Sequence, residues 1–345
     1  MLTEITIQEY YQTKESWPLI DVRSPGEFEK GHIPGAINIP LFSNEERAHV
    51  GTVYKQRSKE KALELGYVYV TPKLQWFLDE ARKHAPDGQA IVHCWRGGMR
   101  SQSFAQHLRD NGFQQVLTIV GGYKSYRRFL LGAMSQSCQL QIIGGYTGSG
   151  KTHVIEQLMA GGHQAIDLEG LANHKGSAFG AIGQKQQPTS EQFENNLFEQ
   201  WRRFDRDQPI WLEDESCNIG KVNLPLALFQ KMRQSTVFFL NIPREKRAEL
   251  LAREYAFEDV GPLQMAVQRI SKRLGGLVTQ QCLDFLEQRQ FYEVALLTLH
   301  YYDKTYLKGL SFRDQEKVRI IEGSDTDAEH NTLLLLNAAK ECLIP

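Results

Sequence analysis

Leu140-Gln141-Ile142-Ile143-Gly144-Gly145-Tyr146-Thr147-Gly148-Ser149-Gly150-Lys151-Thr152 joins a short apolar run to the pattern GxxxxGK[ST] and then opens a helical stretch. Strand, glycine loop and helix in that order are the context in which the pattern is a phosphate loop. Backbone N–H groups over Gly145, Gly148, Ser149 and Gly150 can cradle phosphate oxygens, Lys151 adds a cation, and the Thr152 hydroxyl can reach a magnesium ion. Downstream, Ala165–Leu168, Pro209–Leu212, Val237–Leu240 and Val318–Ile321 are further short apolar runs separated by long helical patterns, notably 263–274 and 279–299. Strands alternating with helices predict a parallel α/β sheet. Two strand ends carry acids. Glu213 or Asp214 suits the metal side of such a loop, and Asp167 and Glu169 could face the same crevice. Asn173 to Gly180 is glycine-rich and polar, a substrate-loop candidate through His174, Lys175 and Ser177.

Upstream lies a second alternating half. Leu19–Val22, Gly35–Pro40, Ala90–Cys94 and Val116–Val120 read as strands, and 101–111 carries Phe104, Ala105 and Leu108 at helical spacing before Gly112. His93-Cys94-Trp95-Arg96-Gly97-Gly98-Met99-Arg100 sits between one of these strands and that helix. Such a loop can aim successive N–H groups at one point, and the helix N-terminus adds positive charge; both favour the Cys94 thiolate. Arg96 and Arg100 can hold an anion by charge-assisted hydrogen bonds. The domains expected are 1–130 and 139–345, with 131–138 as linker and helices filling the C-terminal part.

Composition bounds the rest. The chain has 345 residues, 40 Lys+Arg against 41 Asp+Glu, and five scattered cysteines. No CxxC pair suggests a thiolate zinc site, and nothing predicts a disulfide scaffold. No apolar run of about 18 residues is present, and Met1-Leu2-Thr3-Glu4 does not read as a secretory leader, so a reducing cytoplasm without membrane association is expected. Near-zero net charge leaves nucleic-acid binding to local patches. Lys124, Arg127 and Arg128 beside Tyr123 and Tyr126 form one candidate, and Arg202, Arg203 and Arg206 another. Arg269, Lys272 and Arg273 suit a lid over phosphates or a solvated helix face equally.

The cysteine loop is compatible with two chemistries. Its His-Cys, five residues, then Arg matches the spacing of cysteine phosphatases. Leu19-Ile20-Asp21-Val22-Arg23-Ser24-Pro25-Gly26-Glu27-Phe28 and Gly31-His32-Ile33-Pro34-Gly35-Ala36-Ile37-Asn38-Ile39-Pro40 closely resemble the N-terminal signature of rhodanese-like domains. A rhodanese-like parallel-sheet domain followed by a P-loop NTPase-like domain is a rare order. With Cys94–Ser101, Gly144–Thr152, Asp167–Ser177 and Glu213–Ser216, the chain resembles the bacterial tRNA 2-selenouridine synthase family over nearly its whole length.

The resemblance implies a tRNA-modifying transferase acting on wobble 2-thiouridine in the anticodon stem-loop. One step would transfer a geranyl group from geranyl diphosphate to sulfur. The next would replace the geranylated sulfur with selenium from selenophosphate. Cys94 would serve the second step as nucleophile or as carrier of a bound selenium species. The phosphate loop would hold the diphosphate, with Mg2+ as an optional companion and no tightly bound cofactor. An enzyme supplying selenophosphate is an implied partner, and the tRNA is expected across the domain interface. The geranyl chain has no assigned place, apolar stretches such as 224–229 being equally well explained by core packing. A small-molecule kinase, a cysteine phosphatase and a sulfur-relay protein are the rival readings, each using only part of these motifs or using them only to bind.

Overall fold

The structure, a computed structural model, describes residues 3–342. Met1 and Leu2, part of the start read above as leaderless, lie outside the described residues. The chain divides into two units between Ala133 and Met134. The first is built on a five-stranded sheet with strands β1 (Thr3–Ile5), β2 (Leu19–Asp21), β3 (Ile37–Asn38), β4 (Gln89–His93) and β5 (Gln115–Ile119). Their order is β1-β5-β4-β2-β3, and every pairing is parallel. β4 lies centrally, and Ala90, Ile91 and Val92 are wholly buried. A central parallel strand is covered on both faces, which is why it reads as an unbroken apolar run. The helix Met99–Asp110 follows it and buries Phe104, Ala105 and Leu108, the stripe its sequence spacing predicts, and Ser101 with them.

Between β3 and β4 the chain forms three helices, Asn44–Gln56, Lys59–Val70 and Leu74–His84. The sequence reading assigned no element here. The first of them buries no side chain fully, so it carries no clean apolar stripe to betray it. β1 also escaped notice: it is a three-residue edge strand with two exposed residues.

The second unit holds β6 (Leu140–Gly145), β7 (Ala165–Ile166), β8 (Ile210–Glu213), β9 (Asn218–Ile219), β10 (Val222–Asn223), β11 (Thr236–Asn241) and β12 (Val318–Glu322). Five of these make a wholly parallel sheet in the order β12-β11-β6-β8-β7, while β9 and β10 form a small antiparallel ribbon. A separate helical cluster packs Leu263, Val267, Ile270, Cys282 and Leu286 together. Two expectations need correction. Residues 131–135 of the expected linker are the end of the helix Gly122–Ser135, because Leu130, Ala133 and Met134 keep burying on its inner face. The pattern over 279–299 is two helices, Gly276–Glu287 and Phe291–Ser311, separated by Arg289 in the left-handed region at φ 55°. Among the described residues no helix is long and apolar enough to cross a membrane.

Candidate active site

In the first unit Cys94 follows β4 at the sheet's carboxyl edge and is 3% exposed. Its Sγ lies 3.3 Å from Ser101 Oγ, which is also 3.0 Å from the Gly98 carbonyl, so the one hydroxyl proton can turn from that carbonyl to a thiolate. Burial pushes the thiol pKa up. The Ser101 hydroxyl, the Arg100 charge and the N–H groups of Arg96 and Ser101 outweigh it, so the thiol stands below its ordinary range. The loop is locked from beneath. Tyr123 N–H donates to the Cys94 carbonyl and Lys124 N–H to the Trp95 carbonyl, each at 2.9 Å. Gly97 holds φ 65°, and a Cβ there would collide with the Ile119 carbonyl, so glycine is required.

The residues around Asp21 prop up this loop. Arg23 is fully buried and bonds Asp21 through Nη2–Oδ2 at 2.6 Å, donates to the Gly31 carbonyl at 2.8 Å, and lies 3.8 Å from the Tyr123 ring centroid. His93 is fully buried, and burial lowers its pKa against the pull of Asp21. Arg100 is not a free anion clamp: its Nη1 donates to Glu27 Oε2 at 2.8 Å. Burial opposes the Glu27 charge, but Arg100 and Arg47 hold its carboxyl below the usual range. Arg96 is exposed at the loop surface. Ser101 and Glu27 are functional candidates the sequence reading did not name. Ser101 could have been found as the helix residue three places beyond Gly98, where a first-turn side chain turns back on the sulfur. Ser101→Ala should move the pH profile of iodoacetamide labelling at Cys94 to higher pH and slow labelling several-fold at neutral pH. An unchanged profile would show that the hydroxyl does not tune the thiol.

In the second unit the phosphate loop joins β6 to the helix Lys151–Ala160. Gly148 and Gly150 hold φ 77° and 79°, the left-handed region that glycine favours, and Ser149 N–H donates to the Tyr146 carbonyl at 3.1 Å, so it and Gly145 N–H are engaged within the protein rather than open to a phosphate as the sequence suggested. Gly145 N–H bonds Tyr306 Oη at 3.1 Å. Lys151 Nζ reaches the Gly145 carbonyl at 3.1 Å, and Ser149 is fully buried. Arg247 braces the loop from behind, donating to the Thr147 carbonyl at 3.1 Å and pairing with Asp303 at 2.8 and 2.9 Å.

Glu169, Glu213 and Glu215 bring carboxylate oxygens within 4.8 Å of one another. Thr152 Oγ1 donates to Glu169 Oε2 at 3.2 Å. Burial and then the neighbouring acids push Glu213 and Glu215 well above the usual carboxylate range; for Glu213 the first of these neighbours is Glu169. Burial raises Glu169 as well, against the pull of Lys151. A set of carboxylate and hydroxyl oxygens is what Mg2+ prefers, and the fully buried Glu213 Oε1 has no hydrogen-bond partner, so these residues fit a divalent cation. Asp167 stands beside them as the cap of Leu168–Ala172, its Oδ1 accepting from Gly170 N–H at 2.7 Å.

Asp214 does not belong to this cluster. Successive strand residues face opposite ways, so 213 and 215 share one side while 214 takes the other. Asp214 accepts from Tyr306 Oη at 2.9 Å and from the buried Arg313, with Arg233 at 3.7 Å. It is a structural hub, and Glu215, its neighbour on the acidic face, was the residue the alternation could have identified. Asp214→Ala should destabilise the protein by about 3 kcal/mol or more in urea unfolding, because it strands the Arg313 guanidinium in the interior. A change below about 0.5 kcal/mol would remove the hub role.

The loop carrying His174, Lys175 and Ser177 lies against the acidic cluster: His174 N–H donates to the Glu169 carbonyl at 3.0 Å, and a Cβ on Gly176 would stand 2.5 Å from Glu169 Oε1 and 3.2 Å from Glu215 Oε1. His174 is nearly buried, and burial lowers its pKa. Lys175 pairs with Glu254 at 2.8 Å, and Ser177 Oγ accepts from Phe179 N–H at 3.1 Å. Tyr123 and Tyr126 are fully buried and cannot stack on RNA bases. Helical spacing turns them inward and leaves Lys124 and Arg128 exposed, with Arg127 half-buried. Arg202 pairs with Glu199 at 2.7 Å, whereas Arg203 and Arg206 are exposed. Arg269 and Lys272 are exposed, and Arg273 is bonded to Tyr301 Oη at 2.9 Å. Leu224 and Leu228 are core residues.

A thiol loop on one parallel α/β unit and a phosphate loop on the next define a two-domain rhodanese and P-loop protein. Residues 6–128 match the rhodanese-like domain family, and residues 138–333 match the family described as the tRNA 2-selenouridine synthase AAA domain. The chain is similar to the tRNA 2-selenouridine synthase of Nitrosomonas europaea, 36% identical over 86% of this chain and 90% of that one. The protein of the same name from Marinobacter nauticus is 38% identical over 84% and 87%. That from Shewanella frigidimarina is 34% identical over 92% and 94%. The chain belongs to the tRNA 2-selenouridine synthase family.

Proposed function

We propose that this enzyme converts wobble 2-thiouridine in tRNA to 2-selenouridine through an S-geranyl intermediate. The observation that carries the reading is the pairing, in one chain of this family, of a thiol held below its ordinary pKa with a braced phosphate loop. Either alone has many uses; together they match a reaction with a diphosphate leaving group and a nucleophilic displacement.

In the first reaction the thiouridine sulfur attacks C1 of geranyl diphosphate. The C1–O bond breaks, diphosphate leaves, and the base loses its N3 proton. Negative charge grows on the leaving group, and Lys151 with the N–H groups at the start of the Lys151–Ala160 helix would stabilise it. Glu169, Glu213, Glu215 and Thr152 would hold Mg2+ beside the loop, where the ion supplies further positive charge.

In the second reaction the Cys94 thiolate attacks C2 of the pyrimidine, the C2–S bond breaks and geranyl thiol leaves with a proton. Selenium of selenophosphate then displaces Cys94, and water splits the Se–P bond to give phosphate and the selenouridine with its N3 proton restored. Selenium in selenophosphate is already at the selenide level, so this route needs no oxidant. Loading it on Cys94 as a perselenide would need one, which favours the nucleophile over the carrier. Lys124, Arg128 and Arg203 are exposed cations that can meet RNA phosphates, and selenophosphate would come from a separate supply enzyme.

The test is nucleoside mass spectrometry on 2-thiouridine tRNA given geranyl diphosphate and then selenophosphate. The expected result is a geranyl mass gain followed by exchange of sulfur for selenium. No mass change with competent tRNA would overturn the reading.

A further inference from the structure

The first unit encloses a cavity of about 730 Å3 that opens onto Cys94. Its walls come from the three helices between β3 and β4 on one side, and from the Cys94 loop and the first turns of Met99–Asp110 on the other. That volume falls within the roughly 300–1,000 Å3 of small-molecule sites. It far exceeds what a selenophosphate ion needs: besides Arg47, Arg96 and Arg100, which suit an anion, Leu41, Phe42, Val50, Leu63, Val70 and Phe77 line it. A nucleophilic thiol at the end of an apolar chamber calls for a substrate with a long apolar group next to the atom attacked. The lining also includes Lys55, Lys59 and Arg96 with Tyr54 and Tyr67, all exposed. Cations and exposed aromatic rings together suit the phosphates and the bases of a single-stranded nucleotide loop.

Resting on the function proposed above, we infer that this chamber holds the geranyl chain of the S-geranyl-2-thiouridine nucleotide while Cys94 attacks C2. The chain lies along Phe42, Val50 and Leu63, and the sulfur it is bonded to comes to Cys94. The nucleotide stays at the mouth among the lysines and tyrosines. Burying the chain fixes the scissile C2–S bond beside the thiol and gives the departing geranyl thiol an apolar place to leave into. Selectivity follows. A nucleotide without the chain forfeits this binding, so unmodified 2-thiouridine is passed over until it has been alkylated. The 40 Å3 cavity beside Thr147 in the second unit is too small for a ten-carbon chain.

The experiment uses the full-length protein, selenophosphate and anticodon stem-loop RNAs carrying S-geranyl-, five-carbon S-prenyl- or S-methyl-2-thiouridine. The wild type should selenate the S-geranyl RNA at least ten-fold faster than the S-methyl RNA at limiting substrate, with the five-carbon chain between them. Ala62→Phe fills the chamber from a buried position on its wall, and Val50→Asp places a charge in it. Each should slow the S-geranyl RNA at least ten-fold more than the S-methyl RNA. The S-methyl rate reports folding of each variant, and the wild-type chain-length series needs no variant. Equal wild-type rates for all three RNAs would overturn the chamber assignment while leaving the proposed function standing. So would equal slowing of long and short chains by both variants. Selenation of none of the RNAs by the wild type would overturn the function itself, and the chamber with it.

Discussion

Cys94→Ala is expected to cut selenium incorporation by at least about a thousand-fold, the usual cost of deleting a nucleophile, while geranyl transfer stays within about two-fold of wild type. The thiol is small, and the buried Asp21–Arg23 pair and the backbone bonds from Tyr123 and Lys124 hold the loop without it, so the loop should keep its shape. The proposed geranyl transfer would ask nothing of the thiol, since its sulfur nucleophile would be on the RNA and its leaving group a diphosphate. The check is mass spectrometry after each stage, with the S-geranyl nucleoside expected to accumulate. Equal loss of both reactions would show that the two chemistries are not divided between the two loops.

Lys151→Ala is expected to act the other way. Geranyl transfer should fall by about a hundred- to a thousand-fold, the range found on removing one donor that stabilises developing negative charge. Geranyl diphosphate affinity should fall with it, because in the proposed complex Lys151 would be the loop's own cation beside the phosphate oxygens. Selenation of a preformed S-geranyl RNA should proceed at the wild-type rate. Calorimetry gives the affinity, and supplying the preformed RNA bypasses the first reaction. Unchanged affinity would take the phosphate loop out of diphosphate binding. The two variants thus form a crossed pair in which each blocks the reaction the other spares.

Much of the architecture was legible because central parallel strands are buried on both faces. Leu19–Val22, Ala90–Cys94, Val116–Val120, Leu140–Ile143 and Val237–Leu240 announce themselves as apolar runs, and all are strands or lie along them. The motif loops were legible too, since glycines and a cysteine or lysine at fixed spacing record what a backbone must do around an anion. Edge strand β1 and the helix Asn44–Gln56 were not, because a short exposed strand and a helix without a buried stripe leave no periodic signal, whereas Leu74–His84 buries Phe77, Leu78 and Ala81 and carried a stripe that could have been read.

The side chains that tune the sites divide in the same way. The sequence by itself determined two parallel α/β units, the thiol loop at Cys94, the phosphate loop at Gly145–Thr152 and membership of a recognisable family, because each depends on residues adjacent in the chain. Only the tertiary structure decided that Glu215 and not Asp214 joins Glu169 and Glu213, that Arg100 leans on Glu27, that Tyr123 and Tyr126 face inward, and that an apolar chamber opens onto Cys94. Those facts depend on which faces of separate elements meet, and burial and charge pairing between residues far apart in the chain set that meeting.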